Sequence, residues 1–394
     1  EFIFVDDGSQ DRSVEIIEHY MKLDGRIKLY KQKNSYAGVA RNNGISHARG
    51  KYITFLDSDD LMIPDALYEF LWHAEKKNAD IVISSAWHFE KDVKKRKEAD
   101  WCLRRQYLTA DKNISVKNHA KHIFQIAAGA PWGKFYRADF IRENDIHFPP
   151  LPRAEDVYFV YWAFAVAKSM AILNRKTVLY RNDASSGSLE NAKDKHPLAQ
   201  MESRRMLYEK LVEIGVWDTV KQSFINNVIN GVSYHFNSFK TGTAFEAMYN
   251  CFKNEIVPLY GIDMENESYF YVKGEYLYVK EIYDSVSFVD LIYQKMKLYQ
   301  SQADRHWKAL NELKRAHEND AILINHNEDI IKLYTDEANR VKMTWSYRIG
   351  RVITWLPRKV KGMIRCHKEH GFKYTFWRIL VNLHILKDPF KNEK

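Results

Sequence analysis

Two carboxylates separated by a single residue directly follow a strand-forming segment. The strand is predicted over residues 51–56, and Asp57, Ser58 and Asp59 come next. Because alternate side chains of an extended backbone share a face, Asp57 and Asp59 can point the same way. Two convergent carboxylates suit Mg²⁺ or Mn²⁺, which prefer oxygen ligands. The triplet is equally compatible with acids that serve only as turn and helix-capping residues.

Two further pairs of acids lie where other elements end or begin. Asp6 and Asp7 follow the first predicted strand, and Glu155 and Asp156 follow a proline-rich loop at the start of a predicted helix. The carboxyl ends of parallel strands meet at one edge of a sheet, so the first pair can line one cleft with Asp57. An Asx turn at the first pair and a helix start that favours acids at the second are the alternatives.

The elements that must position these acids alternate between strands and helices with short connections. This alternation favours an α/β fold with a mostly parallel central sheet and helices on both faces. From about residue 197 the pattern becomes mainly helical, and one or two long polar helices are predicted between residues 290 and 341. The predicted strands cover residues 2–5, 26–31, 51–56, 80–86 and 170–180.

Composition places the chain among folded proteins with a localised basic segment. Residues 341–394 contain 13 of the 60 Lys and Arg residues but only three acids. The rest of the 394-residue chain has 47 basic and 48 acidic residues, so the net positive charge belongs to residues 341–394. The three cysteines are widely spaced, so a reducing compartment is expected. No apolar run is long enough to span a bilayer. Glu1 leads directly into a strand, from which we expect a further strand upstream.

Four motifs taken together resemble those of the family 2 glycosyltransferases, over about residues 1–190. The resemblance implies a GT-A fold and inverting transfer of a sugar from a nucleotide-sugar donor. It does not rest on one short motif, because four occur in order, each at a strand end or a helix start. The motifs are Val5-Asp6-Asp7-Gly8-Ser9, Ala40-Arg41-Asn42, Asp57-Ser58-Asp59 and Glu155-Asp156.

The resemblance assigns the first three motifs to the donor, a UDP-sugar. Asp7, with Asp6 beside it, would accept hydrogen bonds from the uracil or ribose. Arg41 would meet the base or diphosphate, although a solvated helix arginine is the alternative. Asp57 and Ser58 would contact the donor. A Mn²⁺ or Mg²⁺ ion on the diphosphate would be held by Asp59 and Asp57, with Asp59 the more direct ligand. The following acid, Asp60, is expected to be structural.

The resemblance assigns the fourth motif to catalysis. Asp156 would be the general base that removes the proton of the acceptor hydroxyl, and Glu155 would orient the acceptor or brace the site. Trp132 and Lys134 match a segment near the acceptor side, where an indole could stack on a sugar and a lysine could hold phosphate. Core packing of Trp132 is the alternative. The loop containing residues 185–188 is expected to cover the donor.

The basic tail is expected to bind an anionic membrane surface. Residues 341–394 interleave tryptophans with Arg and Lys, which is typical of segments that lie on membranes. This fits a cytoplasmic enzyme, peripheral on the inner face of the cell membrane, with a saccharide or lipid-linked saccharide acceptor. A partner glycosyltransferase is another possible contact. Nucleic-acid binding is not expected, because no recognition module accompanies the charge.

The sequence therefore predicts an inverting glycosyltransferase of bacterial surface polysaccharide synthesis, such as a capsule. A catalytically inactive, membrane-associated scaffold with the same fold is the alternative. A nucleotidyltransferase would share the cleft and metal but would not need a base at the fourth motif. The predicted organisation is a catalytic domain over 1–190, a mainly helical extension over 191–290, long polar helices over 291–340, and the membrane-surface tail over 341–394.

Overall fold

A computed structural model describes residues 1–109, 113–182, 193–319, 332–333 and 335–336. By its contacts the chain forms two compact units. Unit 1 comprises residues 1–231 and 254–276, and unit 2 comprises residues 232–253 and 277–394. These units do not follow the four predicted ranges, which stay predictions. The predicted lid residues 185–188 and the predicted membrane-surface tail lie outside the described residues.

The described residues of unit 1 form two β-sheets. A two-stranded sheet pairs β1 with β2, and a six-stranded sheet has the order β3-β7-β5-β8-β4, with β6 added to β5. The centre of the larger sheet is buried, and β5 is buried over its first six residues. The strands are β1 (Phe2–Asp6), β2 (Ile27–Lys31), β3 (Tyr52–Thr54), β4 (Leu61–Met62), β5 (Ile81–Phe89), β6 (Lys97–Glu98), β7 (Lys134–Arg137) and β8 (Met170–Arg181).

The α/β class is confirmed, but the strand directions are more mixed than the mostly parallel sheet that the sequence predicts. Among the described strands only β1–β2 and β5–β8 pair in parallel. The pairs β3–β7, β5–β7, β5–β6 and β4–β8 are antiparallel. All four antiparallel pairs involve one of the short strands β4, β6 and β7. Antiparallel strands added to a parallel pair in this way are common in large α/β sheets.

Two helices of unit 1 position the acids, α2 on one side and α6 on the other. Helix α6 is apolar around nearly its whole circumference and is buried from Val157 to Ala165, as expected of a helix inside the fold. The helices with residues in unit 1 are α1 (Ser13–Leu23), α2 (Tyr36–His47), α3 (Ala66–Lys77), α4 (Val116–His119), α5 (Ala138–Glu143), α6 (Glu155–Val166), α7 (Ala199–Glu213), α8 (Trp217–Ser238), α10 (Val257–Tyr260) and α11 (Lys273–Asp284).

Unit 2 is helical where it is described, which confirms a helical C-terminal part. It contains α9 (Gly242–Cys251), α12 (Phe288–Asn319) and the ends of α8 and α11. Helix α12 is a single polar helix, and the predicted helical segment beyond residue 319 lies largely outside the described residues. Among the helices described, none combines the length and the apolar character needed to cross a bilayer.

Candidate active site

The acids after β3 lie on a turn. Strand β3 ends at Thr54, and the backbone N–H of Asp60 donates to the carbonyl oxygen of Asp57 at 3.0 Å. This corrects the prediction of an extended backbone through Asp57 and Asp59, on which their shared face depended. The turn instead leaves Asp59 exposed, Asp57 half-buried and Asp60 buried. A hydrogen-bonded turn forms here because the chain reverses to enter the short strand β4.

Asp60 fastens this turn to the end of β8. Its Oδ1 accepts a hydrogen bond from the Arg181 backbone N–H at 2.8 Å, and the Arg181 Nε donates to the Asp59 carbonyl oxygen at 2.9 Å. Burial raises the pKa of Asp60, and the negative charges of Asp57 and Asp59 add to the rise. The hydrogen bond from the Arg181 N–H opposes it, and the resulting pKa is about 7. This arrangement agrees with the structural role expected of Asp60.

Arg41, on α2, joins the turn to the start of α6. Its Nη1 lies 2.6 Å from Oε1 of Glu155, and its Nη2 lies 2.7 Å from Oδ1 of Asp57. The guanidinium also lies over the ring of Phe148, 5.3 Å from its centroid. Burial disfavours the charge of Arg41, but the two carboxylates outweigh it and raise the pKa further above its ordinary value. Arg41 is therefore not a solvated helix arginine, which was the alternative that the sequence left open.

Helix α2 can approach α6 this closely because of Gly38, which the sequence analysis did not name, and Asn42, to which it assigned no role. A Cβ on Gly38 would lie 2.8 Å from both the Glu155 Cγ and the Pro149 carbonyl oxygen. Asn42 clamps the loop before α6: its Nδ2 donates to the Phe148 carbonyl oxygen at 2.7 Å, and its Oδ1 accepts from the Phe148 N–H at 2.9 Å. A small residue and a two-way amide clamp thus fix Arg41 against Glu155.

Asp156 lies in the first turn of α6 and is half-buried. The residue before the helix, Ala154, has φ of 62°, a left-handed conformation that is uncommon for a residue with a Cβ. The Oδ1 of Asp156 accepts a hydrogen bond from the Val157 N–H at 2.8 Å. Burial and the charge of Glu155 raise the pKa of Asp156 to about 7, while Arg41 opposes the rise.

The charged and polar groups beneath Asp156 come from β7. Lys134 and Tyr136 alternate along this strand and therefore share one face. Burial lowers the pKa of Lys134 to about 8, with Asp156 among the groups that oppose the fall. Burial also raises the pKa of Tyr136, and the charge of Asp156 raises it further. The Lys134 Nζ donates to the Ala130 carbonyl oxygen at 2.6 Å, so the ammonium lies inside the fold rather than at its surface.

Trp132 packs in the interior, which is the alternative that the sequence left open. It is 4% exposed and stacks on Tyr180 at a centroid distance of 5.3 Å. Its acceptor role stays a prediction, as does that of Lys134, and this packing does not favour either.

Asp6 and Asp7 are close to the start of α2. Asp6 Oδ1 accepts from the Ser9 N–H at 3.2 Å, as in the turn that was the alternative for this pair. Asp7 Oδ1 accepts from Gln32 Nε2 at 2.8 Å and from the N–H of Ser35, the residue before α2, at 2.9 Å. The structure thus brings Arg41, Asp57 and Glu155 into direct contact. Asp7 is bound instead to the residue before α2, and the Asp6 carboxylate to its own turn.

The turn offers suitable ligands for the expected divalent cation. The carboxylate of Asp59 is exposed and makes no hydrogen bond within the described residues, and Asp57 uses only Oδ1 for Arg41. These oxygens are hard ligands, and Mg²⁺ commonly binds one or two carboxylates with substrate phosphates completing its shell. Within the described residues no group of three or more His, Cys, Asp or Glu could hold a metal. The two carboxylates of Asp57 and Asp59 would suit a cation whose other ligands come from a diphosphate.

Comparisons with known proteins show that the chain is similar to glycosyltransferases. Residues 1–130 match the model of Glycosyl transferase family 2. EpsH of Bacillus subtilis, named as a glycosyltransferase, is 34% identical over 190 residues, which are 47% of this chain and 53% of EpsH. EpsJ of the same organism, also named as a glycosyltransferase, is 31% identical over 216 residues, 53% of this chain and 61% of EpsJ. The chain thus spans just over half the length of these relatives.

A third relative has been solved as a crystal structure. TarS of Staphylococcus aureus, a poly(ribitol-phosphate) β-N-acetylglucosaminyltransferase, is 24% identical over 194 residues, 49% of this chain and 32% of TarS. Its structure superimposes with a TM-score of 0.49 and 18% identity, over 72% of this chain and 49% of that one. Residues 1–130, which contain the first three of the four motifs, are thus similar to glycosyl transferase family 2, the family that those motifs resemble.

Proposed function

We propose that this protein transfers a sugar from a UDP-sugar to a hydroxyl group of a saccharide or lipid-linked saccharide, with inversion at the anomeric carbon. The observation that carries the proposal is the Arg41 bridge, which joins Asp57 on the donor side to Glu155 beside the base. The family match and the named activity of TarS support it. The product would be a bacterial surface polysaccharide such as a capsule.

The donor side is formed by Asp7, Arg41 and the turn from Asp57 to Asp59. Asp7 would accept hydrogen bonds from the uracil or ribose, and Asp6 would support it. The Arg41 guanidinium is already desolvated and paired, so it is held in position to meet an anionic diphosphate. Asp59 and Asp57 would hold Mg²⁺ or Mn²⁺, which supplies Lewis-acid neutralisation of the charge on the departing nucleoside diphosphate.

The acceptor side is formed by Asp156 at the start of α6. A general base works best when its pKa lies near the working pH, because it must be both ionised and basic enough to take a proton. The raised pKa of Asp156 meets this condition. Asp156 would take the proton of the acceptor hydroxyl as its oxygen attacks the anomeric carbon from the side opposite the UDP. Glu155, buried and paired to Arg41, would hold the site rather than react.

The proposed setting is the inner face of the cell membrane, where lipid-linked acceptors occur. Residues 341–394 would bind anionic lipids through their basic and tryptophan side chains. Deletion of residues 341–394 should reduce binding to vesicles that contain anionic lipid. Unchanged binding would contradict this part of the proposal.

UDP release from a panel of UDP-sugars tests the reaction. The 394-residue protein is incubated with each sugar and Mn²⁺ or Mg²⁺, with and without EDTA. At least one sugar should release UDP in a metal-dependent way, and Asp59→Ala should lose most of this release, whereas Asp139→Ala, an exposed acid on α5, should not. Absence of release with every sugar would overturn the proposal in favour of the inactive scaffold. Full release by Asp59→Ala would overturn the metal role.

A further inference from the structure

An exposed tryptophan, Trp101, covers the aromatic cluster that contains Trp132. Trp101 is 41% exposed, whereas Trp132 is 4% exposed. The Trp101 ring lies 5.9 Å from Trp132 and 5.7 Å from Tyr180, at 76° and 81° to their planes. Since those two rings are only 5.3 Å apart, both lie on the same side of Trp101. They therefore leave at least one face of its indole uncovered.

The backbone around Trp101 is fixed, so the indole is held in place before any ligand binds. Trp101 lies inside a turn that is closed by a hydrogen bond from the Cys102 N–H to the Ala99 carbonyl oxygen at 2.9 Å. Both ends of this turn are buried. The Ala128 N–H in turn donates to the Cys102 carbonyl oxygen at 3.1 Å. A rigid aromatic surface binds with less loss of conformational entropy than a mobile one.

Trp101 is also next to the turn that carries the donor-side acids. Tyr180, which it contacts, precedes Arg181, whose backbone N–H and Nε bind Asp60 and the carbonyl oxygen of Asp59. Burial raises the pKa of Cys102, the residue after Trp101, and Lys134 and Asp60 are the charged groups that act on it most strongly. Trp101 thus contacts the residue that precedes Arg181, and Arg181 binds the turn from Asp57 to Asp60.

We propose that the uncovered face of Trp101 stacks on a pyranose ring of the acceptor saccharide. The inference rests on the proposed function, which requires a sugar acceptor beside the donor site. An indole offers a flat apolar surface to the C–H groups of a sugar ring, and its N–H can meet a hydroxyl. Trp132 was predicted for this role, but Trp132 is buried within the cluster, whereas Trp101 is accessible.

Fluorine NMR can observe this contact without turnover. The full chain is labelled with 5-fluorotryptophan at its ten tryptophans. Trp101→Phe and Trp72→Phe assign two of the signals by their loss. Trp72, on α3, is the matched control, because it is 45% exposed and contacts Lys76 rather than the site. The probes are cellotriose, maltotriose and chitotriose, added with and without UDP and Mn²⁺.

The Trp101 signal should shift in a saturable way with at least one of these oligosaccharides, while the Trp72 signal stays in place. No shift of the Trp101 signal with any probe would overturn the proposal. An equal shift of both signals would do so as well, because it would mean unspecific contact with exposed indoles. Thermal unfolding of Trp101→Phe and Trp101→Ala verifies that both variants are folded.

Kinetics with the oligosaccharide that binds separate this proposal from the proposed function. Trp101→Ala should raise the KM of that sugar about tenfold, with a smaller rise for Trp101→Phe, and Trp72→Ala should not change it. Sugar binding at Trp101 without UDP release from any donor would contradict the proposed function but support the sugar site. UDP release that depends on Asp156, together with an unchanged KM for the oligosaccharide in Trp101→Ala, would contradict the sugar site but support the proposed function.

Discussion

Arg41 and Glu155 form an ion pair of 2.6 Å although 114 residues separate them in the chain. The side chain of Arg41 is 18% exposed and that of Glu155 is 7% exposed, so both charges are largely removed from water. The second nitrogen of the same guanidinium binds Asp57. One cation therefore neutralises an acid on each side of the candidate active site, and its loss would leave the buried Glu155 carboxylate unpaired near the half-buried Asp57.

Arg41→Met should destabilise the fold as well as the reaction. Removing one partner of a buried ion pair leaves the other charge unpaired, and we expect a loss of about 3 kcal/mol in the free energy of unfolding. Chemical denaturation measures this loss. Arg12→Met is the control, because Arg12 pairs with Glu15 at the surface and should leave the midpoint unchanged. Equal effects of the two substitutions would contradict the role given to Arg41.

The pH dependence of kcat/KM should report Asp156 as a base. Because the base must be ionised, activity should rise with pH through the raised pKa of Asp156 and fall below it. Glu155→Gln removes a negative charge that raises this pKa, so the acidic limb of the profile should move to lower pH. A limb that stays in place, or moves to higher pH, would show that another group is titrating.

Lys134→Met should move the acidic limb of the pH profile of kcat/KM to higher pH, opposite to the effect of Glu155→Gln. The buried ammonium of Lys134 and the carboxylate of Asp156 attract each other, so loss of the positive charge should raise the pKa of Asp156. The acidic limb should then move to higher pH. Lys51→Met, at an exposed lysine paired with Glu75, should leave the profile where it is. A shift to lower pH in Lys134→Met would contradict the arrangement described.

Gly38→Ala tests the close contact between α2 and α6. Its methyl group would lie 2.8 Å from the Glu155 Cγ and the Pro149 carbonyl oxygen, so one of the helices must move. Overpacking of this kind costs about 2 kcal/mol, and the displacement of Glu155 should lower kcat as well. Gly25→Ala is the matched control, since no atom lies within 4 Å of its Cβ position. Wild-type kcat in Gly38→Ala would mean that the contact is not needed.

Much of this site was predictable because its residues occupy element ends. A strand followed by acids predicts β3 and its carboxylates, and acids at a helix start predict the first turn of α6. The family motifs then bring Arg41 to the same site. Local pattern and motif order are sufficient for these residues, since each depends on its own neighbours in sequence.

The remainder depends on packing between distant segments, which sequence periodicity does not report. Strand β7 follows no clear alternation, so its antiparallel position between β3 and β5 could not be predicted. The backbone turn at Asp57 depends on β4 pairing with β8. Burial of Trp132 and exposure of Trp101 are set by a cluster whose members come from three separate segments. No local signal distinguishes these two tryptophans.

The most direct test of the central claim is the rate of UDP release by Asp156→Asn. The amide keeps the size of the side chain but cannot take a proton, so with an active UDP-sugar and metal present kcat should fall about 10²-fold or more. Asp139→Asn, at an exposed acid on α5, should keep the wild-type rate. A folded Asp156→Asn protein that releases UDP as fast as the wild type would contradict the assignment of Asp156 as the base.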